Sequence, residues 1–268
     1  MTIALPIDRT LRLLPMAQLT ASGSWQMDLV HDRAESLLIW LTRGQGTAFL
    51  DGARRGIGAH NLLFIPARNT MAIELGRQAF GHALIIPPDS PVELPGRPLH
   101  IRSRDTASQT ELTGLIDALG REQTAGRPYS ENAAAAYGDL IFIWLQRHLT
   151  ESDSPRDTAA RRLIRKYCAR LVLDHASPAS MADYAAALSV TPTHLTRVCR
   201  AETGKTAAAL LTERKLHAAR RFLTETDVAI QDVARHLGFG SAPYFTRFIQ
   251  QHTGHPPTEL RKSTRRRV

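Results

Sequence analysis

Two short stretches near the C-terminus carry the same side chains at the same spacing. "HLTRVCRAETG" covers residues 194–204 and "YFTRFIQQHTG" covers residues 244–254. Both have Thr-Arg at their third and fourth positions, and both end in Thr-Gly. An arginine on a helix can donate two hydrogen bonds to one guanine, and a threonine can contact the methyl group of thymine. The repeated side chains therefore have the chemistry that reads bases in double-stranded DNA.

Each stretch is expected to be a helix with an apolar inner stripe and a polar outer stripe. Leu195 and Val198 are predicted to face inward in the first stretch, and Phe245 and Phe248 in the second. The candidate DNA-contacting residues are Thr191, Thr193, Thr196, Arg197 and Arg200 in the first stretch, and Ser241, Ala242, Pro243, Thr246 and Arg247 in the second. The alternative is a merely solvated face, which two matching copies disfavour.

A shorter helix is predicted before each of these stretches. Ser180 followed by Asp183 indicates a capped start for the first short helix. Thr191 and Ser241 are the predicted caps of the two longer helices, which end at glycines 204 and 254. The spacing of the two units differs by one residue, for which Gly240 is the candidate. This is the helix-turn-helix plan, predicted over about 180–204 and 229–254.

The segment between the two units is predicted to be one long helix over 205–223. Its Ala, Leu, Arg and Lys composition favours a helix, and Thr206 can cap it. A helix of about 18 residues spans roughly 27 Å. It would hold the two reading helices about one DNA turn apart, which is roughly 34 Å.

The charge of the chain is concentrated in its C-terminal part. The 268 residues carry a net charge of +9, but residues 155–268 hold 20 basic and 9 acidic side chains, against 14 and 16 in residues 1–154. This asymmetry indicates that the C-terminal part meets a polyanion such as DNA. The alternative, a uniformly basic protein, does not account for the asymmetry.

The N-terminal half shows different patterns. Short apolar runs over residues 35–103, with the hairpin signal Asp51-Gly52, indicate an antiparallel barrel or sandwich. Residues 105–150 have the period of two amphipathic helices, which either cover a core or form a dimer face. Residues 151–160 are the predicted linker. We therefore expect a multidomain α+β chain, with an N-terminal domain over 1–104, a helical pair over 105–150 and an all-α DNA-binding domain over 161–268.

The stretch "VAIQDVARHLGFGSAPYFTRFIQQHTGHPPTELR" resembles the signature of AraC/XylS-type transcription regulators. The matching residues are Ile230, Val233, Ala234, Gly238, Phe239, Ser241, Tyr244, Phe245, Arg247, Gly254, Pro257 and Arg261. The resemblance implies a DNA-binding activator that recruits RNA polymerase and carries a cupin-like N-terminal barrel. Pro243 departs from the family, because proline has no donor where a base-reading side chain is usual.

The N-terminal domain is expected to bind a small-molecule effector or to form a homodimer. Candidate pocket residues are Trp40, Phe49, Phe64 and His82. Scattered histidines and two cysteines give no metal-site spacing, so we expect no metal, no cofactor and no enzyme. No apolar run is long enough to span a membrane, and no secretory signal is read, so a cytoplasmic protein is expected. Two alternatives remain: a cupin-type enzyme with an accessory DNA-binding domain, and an effector-independent repressor.

Overall fold

The computed structural model describes residues 11–90, 93–149 and 157–265, so most of the predicted linker lies outside the described residues. The N-terminal part begins with strands and two short helical turns. Its elements are β1 (Arg12–Pro15), a 3-10 turn (Met16–Thr20), α1 (Trp25–Asp28), β2 (Ser36–Arg43), β3 (Gln45–Leu50), β4 (Ala53–Gly58), β5 (Asn61–Ile65), β6 (Met71–Leu75), β7 (Phe80–Ile86) and β8 (Leu99–Arg102).

The strands form two antiparallel sheets. The larger sheet has the order β1-β7-β2-β5-β8, and the smaller one has the order β4-β3-β6. Among the strands described, no hydrogen-bonded closure joins the two sheets into the single barrel expected from the sequence. The chain changes sheets at Gly44, whose φ of +92° and close approach to the Ala79 backbone leave no room for a side chain. The Asp51-Gly52 hairpin is confirmed, with φ of 45° and 87°.

The larger sheet is covered on both faces. Leu37, Ile39 and Leu41 of β2 pack with the inner face of the smaller sheet. Leu38 and Trp40 point the other way and pack against helices. This explains why "SLLIWL" is a continuous apolar run rather than an alternating one, since a strand covered on both faces has no solvent side.

Two helices cover the second face of the larger sheet: α2 (Thr106–Ala125) and α3 (Ser130–Arg147). Asp105 caps α2 by accepting from the Ser108 N–H at 2.8 Å. Trp40 meets Trp144 of α3 edge to face, with 6.3 Å between ring centroids. The helical period read from residues 105–149 is therefore confirmed.

The C-terminal part is helical throughout the described residues. It consists of α4 (Ala159–Asp174), α5 (Met181–Ala187), α6 (Pro192–Thr203), α7 (Ala207–Glu225), α8 (Ile230–His236), α9 (Ala242–Thr253) and α10 (Pro257–Arg265). Two apolar clusters hold it together. One joins α4, α5, α6 and the start of α7, and the other joins the rest of α7 with α8, α9 and α10. The fold is thus mixed, with antiparallel sheets followed by a helical domain.

None of the described helices has the length and apolar character needed to cross a membrane.

Candidate nucleic-acid interface

The two predicted reading helices, α6 and α9, are matched along their whole length. Each has 12 residues and begins after a capping hydroxyl. Thr191 Oγ1 accepts from the His194 N–H at 3.1 Å, and Ser241 Oγ accepts from the Tyr244 N–H at 3.3 Å. Each helix ends at a glycine in the left-handed region, with φ of 78° at Gly204 and 77° at Gly254. The caps predicted from the sequence are confirmed.

The inner stripes of both helices hold them in the domain. Leu195, Val198 and Phe245 are buried, and Phe248 is half-buried, as the sequence predicts. The position equivalent to Ile249 in α6 is Cys199, and both are buried. Because this stripe of each helix is buried in the domain, the opposite face is the one that remains exposed.

The outer stripes carry the candidate DNA-contacting side chains. Thr191, Thr193, Arg197, Arg200, Ser241, Pro243 and Arg247 are exposed, whereas Thr196, Ala242 and Thr246 are half-buried. The structure therefore leaves Arg197 and Arg247 on the outer surface at equivalent positions of two equivalent helices. Both arginines lie one residue after a threonine of intermediate exposure.

His194 and Tyr244 are candidate contact residues that the sequence interpretation missed. An Arg197 Nη2 lies 3.0 Å from His194 Nδ1, so the imidazole holds the guanidinium in one orientation on the surface. Tyr244 occupies the equivalent place in α9 and is exposed. His194 and Tyr244 are the first residues of the two repeated stretches. This shared position is the feature of the sequence that could have identified them as candidates.

The turns that precede the reading helices differ by one residue. Val190 N–H donates to Ala185 O, and Phe239 N–H donates to Ala234 O, both at 3.0 Å. These bonds align residue 190 with residue 239, while the caps align residue 191 with residue 241. Gly240 is therefore the additional residue, as the sequence predicts.

Helix α7 connects the two units and belongs to the core of both. It has 19 residues, which corresponds to about 28 Å at 1.5 Å per residue. Its cap is Thr206, whose Oγ1 accepts from the Ala209 N–H at 3.0 Å. Leu210 near its start packs with α6, and Leu223 near its end packs with α8 and α9. One continuous helix thus fixes the separation of the two units.

The N-terminal part contacts the same helix through a buried polar cluster. Arg214 of α7 donates to Asp32 at 2.5 Å, and both side chains are buried. His217 stacks on His31 with 4.1 Å between ring centroids. Burial lowers the pKa of His31 to about 3 and also lowers the pKa of His217, so both rings are neutral at neutral pH.

The four candidate effector-pocket residues do not come together. Trp40 and Phe64 are fully buried between the larger sheet and the helices α2 and α3. His82 lies opposite Trp40 on the neighbouring strand β7. Phe49 faces away from them and packs with α4–α7 in the core of the first helix-turn-helix unit. The first three therefore belong to one region of the molecule and Phe49 to another.

The two cysteines are packing residues. Cys168 and Cys199 are both buried and unpaired. Burial raises the pKa of the Cys199 thiol to about 12, so it is not a thiolate at neutral pH.

Comparison with known proteins agrees with this geometry. A protein-family model described as a helix-turn-helix domain matches residues 184–263. The transcriptional activator RhaR of Shigella dysenteriae is 27% identical over 148 residues, which is 55% of this chain and 52% of RhaR. RhaR of Escherichia coli K12 gives the same identity and coverage. The chain thus spans about half the length of the curated relatives it matches, and these relatives are named as transcriptional activators.

Among solved structures, a ToxT variant of Vibrio cholerae gives a TM-score of 0.46 and 13% identity over 94% of this chain and 97% of ToxT. A regulator of Chromobacterium violaceum with an AraC-type DNA-binding domain gives a TM-score of 0.36 and 23% identity over 39% of this chain and 94% of that chain. The family match over residues 184–263 and the paired capped helices together identify a helix-turn-helix domain in this part of the chain.

Proposed function

We propose that this protein is a sequence-specific DNA-binding transcription regulator whose helices α6 and α9 enter adjacent major grooves. The observation that carries the proposal is the equivalence of the two helices. They have the same length, the same caps and the same exposed arginine, and both pack on α7. Helix-turn-helix proteins place the second helix of each unit in the major groove, with its N-terminal residues on base edges.

The residues of the two helices have distinct expected roles. Arg197 and Arg247 are long enough to make bidentate contacts to guanine, and Thr196 and Thr246 offer a methyl and a hydroxyl group beside them. Thr193 and Arg200 extend the polar stripe of α6. In α9, Pro243 has no donor and Ala242 only a methyl group, so the second unit depends more heavily on Arg247. Thr191 and Ser241 lie at helix N-termini, where backbone N–H groups favour phosphate.

The N-terminal part, residues 1–104 with the helical pair 105–150, is proposed to regulate the DNA-binding domain, residues 161–268. Phe49 of β3 is part of the core of the first unit, and Asp32 is paired with Arg214 of α7. A ligand that favours one arrangement of these contacts would change DNA binding by its difference in affinity for the two arrangements. RhaR is an activator, and on that basis we propose activation through contact with RNA polymerase.

Self-association is proposed to involve helix α3. Leu140 and Ile143 lie three residues apart on this helix and are 45% and 42% exposed. Residues three apart share a helix face, so the two side chains form a small apolar patch. A homodimer would bring four reading helices to one operator.

Selection of bound sequences from a random DNA pool tests the DNA-binding proposal. We expect a site with two conserved segments about one helical turn, roughly 10 base pairs, apart. Arg197→Ala should relax base preference in one segment and Arg247→Ala in the other. If either variant weakens binding to all sequences equally, that arginine contacts phosphate and does not read a base.

A promoter reporter that contains the selected site tests the direction of regulation. With the full chain expressed, transcription should rise above the level without it, and the double variant Arg197→Ala/Arg247→Ala should return to the lower level. A fall in transcription with the intact chain would instead identify a repressor.

A further inference from the structure

A large cavity at the junction of the N-terminal part and α4 is lined by arginines. It has a volume of about 810 Å³ and lies where β4, β8, the start of α2, the end of α3 and the start of α4 meet. Its cationic lining residues are Arg54, Arg55, Arg102, Arg104, Arg147 and Arg161. Sites for small molecules usually have volumes of about 300–1,000 Å³, so the cavity has the size of a ligand site.

The charge of this cavity is opposite to that of the region that forms it. Residues 1–154 have more acidic than basic side chains, yet five of their fourteen arginines line this one concave surface. Among the described residues that line it, Asp105 is the only acidic one. Its carboxylate accepts from the Ser108 N–H at 2.8 Å and from the Ser108 hydroxyl at 2.7 Å but keeps its negative charge, so it offsets one of the six arginines. The arginines of the wall therefore produce a strong positive potential.

Several parts of the wall are held in place by the fold. Arg102 donates through Nη2 to Gly56 O at 3.2 Å, which connects β8 of the larger sheet to β4 of the smaller one. His148 stacks on Trp144 with 4.0 Å between ring centroids, and its Nε2 lies 2.9 Å from Ser108 Oγ. A wall with fixed positions costs less entropy to occupy than one formed by free side chains.

We propose that this cavity binds a small organic polyanion, a molecule with at least two phosphate or carboxylate groups. A single anionic group pairs with one or two guanidinium groups, because the planar fork of arginine matches phosphate and carboxylate in two-point contacts. The arginines are supplied by four separate elements and by the segment before α2, so a ligand that bridges them needs anionic groups at both ends. A neutral sugar or an apolar effector offers no anionic group to these arginines.

The cavity is linked to the first reading helix through one ion pair. Arg161 of α4 lines it, and its Nε lies 3.5 Å from Glu202 Oε2 near the end of α6. An anion bound beside Arg161 competes with Glu202 for the guanidinium. It would therefore weaken the ion pair that joins α4 to the end of α6. The effect on DNA rests on the proposed function, whereas anion binding does not.

Titration calorimetry on the full chain, at constant ionic strength and without DNA, tests the binding. Inorganic pyrophosphate and citrate are the probes, and glucose is the neutral control. We expect saturable binding of at least one anion, and the comparison of the two identifies phosphate or carboxylate as the preferred group. Absence of heat for both anions at millimolar concentration overturns the proposal.

A charge-removing variant locates the site. Arg104→Gln/Arg147→Gln replaces two exposed side chains of the wall and should lower the affinity for the anion tenfold or more. Arg121→Gln removes an exposed arginine of α2 outside the cavity and should leave affinity unchanged. Equal weakening by both variants would mean non-specific attraction to a basic protein and would refute the site.

The coupling is measured separately. Glu202→Gln removes the carboxylate that competes with the anion for Arg161, so it should tighten anion binding a few-fold. In addition, the preferred anion should change DNA affinity, and by linkage DNA should change anion affinity by the same factor. If DNA binds but neither anion does, this inference fails while the proposed function stands. If Arg104→Gln/Arg147→Gln reduces the salt dependence of DNA binding and neither anion binds, the surface contacts DNA and the inference is wrong.

Discussion

The two helix-turn-helix units share a design but differ in what completes their cores. The first unit is completed by the N-terminal part, because Val30, Phe49 and Ala72 are members of the same apolar cluster as Leu195 and Cys199. The second unit is completed by its own C-terminal helix through Leu260, and among the described apolar residues of the N-terminal part the half-buried Leu29 packs against this cluster. The first unit is therefore the one whose position depends on the N-terminal part.

The size of the core side chains shows the same difference. Phe245, Phe248 and Ile249 in the second unit correspond to Leu195, Val198 and Cys199 in the first. The smaller residues of the first unit leave volume that Tyr167 and Tyr184 fill, with 5.7 Å between their ring centroids. Tyr167 also donates to Ala207 O at 2.6 Å, which fastens α4 to the start of α7.

The largest expected effect is on the contact that joins the N-terminal part to α7. Asp32→Ala leaves the buried Arg214 without its carboxylate, and breaking a buried ion pair costs about 3–5 kcal/mol. We expect the free energy of unfolding in urea to fall by that amount. The matched control is Arg68→Ala, because Arg68 also faces Asp32, at 3.4 Å, but is 68% exposed. Its effect should stay below about 1 kcal/mol.

The second prediction concerns DNA and compares the two units directly. Arg197→Ala and Arg247→Ala should each cost about 1–3 kcal/mol of binding free energy on the selected site. Arg197 is oriented by His194, so His194→Ala should reproduce part of the loss in the first unit. Quantitative band-shift titration measures all three variants. If His194→Ala leaves affinity and base preference intact, the histidine does not position the arginine for recognition.

The third prediction is a pH dependence of the interdomain contact. His31 has a pKa lowered to about 3 in the folded chain because of its burial, while the unfolded chain takes up the proton near the ordinary histidine pKa of 6.5. Acid therefore favours the unfolded state, and the stability is lost as the pH falls below 6.5. Between pH 7.5 and 5.5, His31 alone should account for about 1.4 kcal/mol.

Urea unfolding at both pH values checks this dependence. His31→Phe keeps an aromatic ring for stacking on His217 and removes one titrating group, so its stability should change less steeply with pH. The burial of His217 lowers its pKa as well, so a residual slope of the same sign should remain in the variant. An unchanged slope in His31→Phe would show that folding does not shift the pKa of His31.

Local features of both units could be predicted from the sequence, whereas the contacts between distant parts could not. The caps at Thr191 and Ser241 and the additional Gly240 depend on residues within a few positions of one another. The pair Asp32–Arg214 joins residues 182 positions apart, and no periodicity records it. The arginine cavity likewise combines five elements whose proximity depends on the packing of two sheets with α2, α3 and α4.

The smallest expected effect concerns the feature that the two units share. Thr191→Ala and Ser241→Ala each remove one capping bond to a backbone N–H, which costs about 1 kcal/mol. Because both caps are exposed and make the same bond to the third residue after them, we expect equal losses of unfolding free energy. Thr191→Ser and Ser241→Thr, which keep the hydroxyl, are the controls and should stay near the parent chain. A much larger loss for Thr191→Ala would mean that the first unit also relies on the N-terminal part to hold the start of its reading helix.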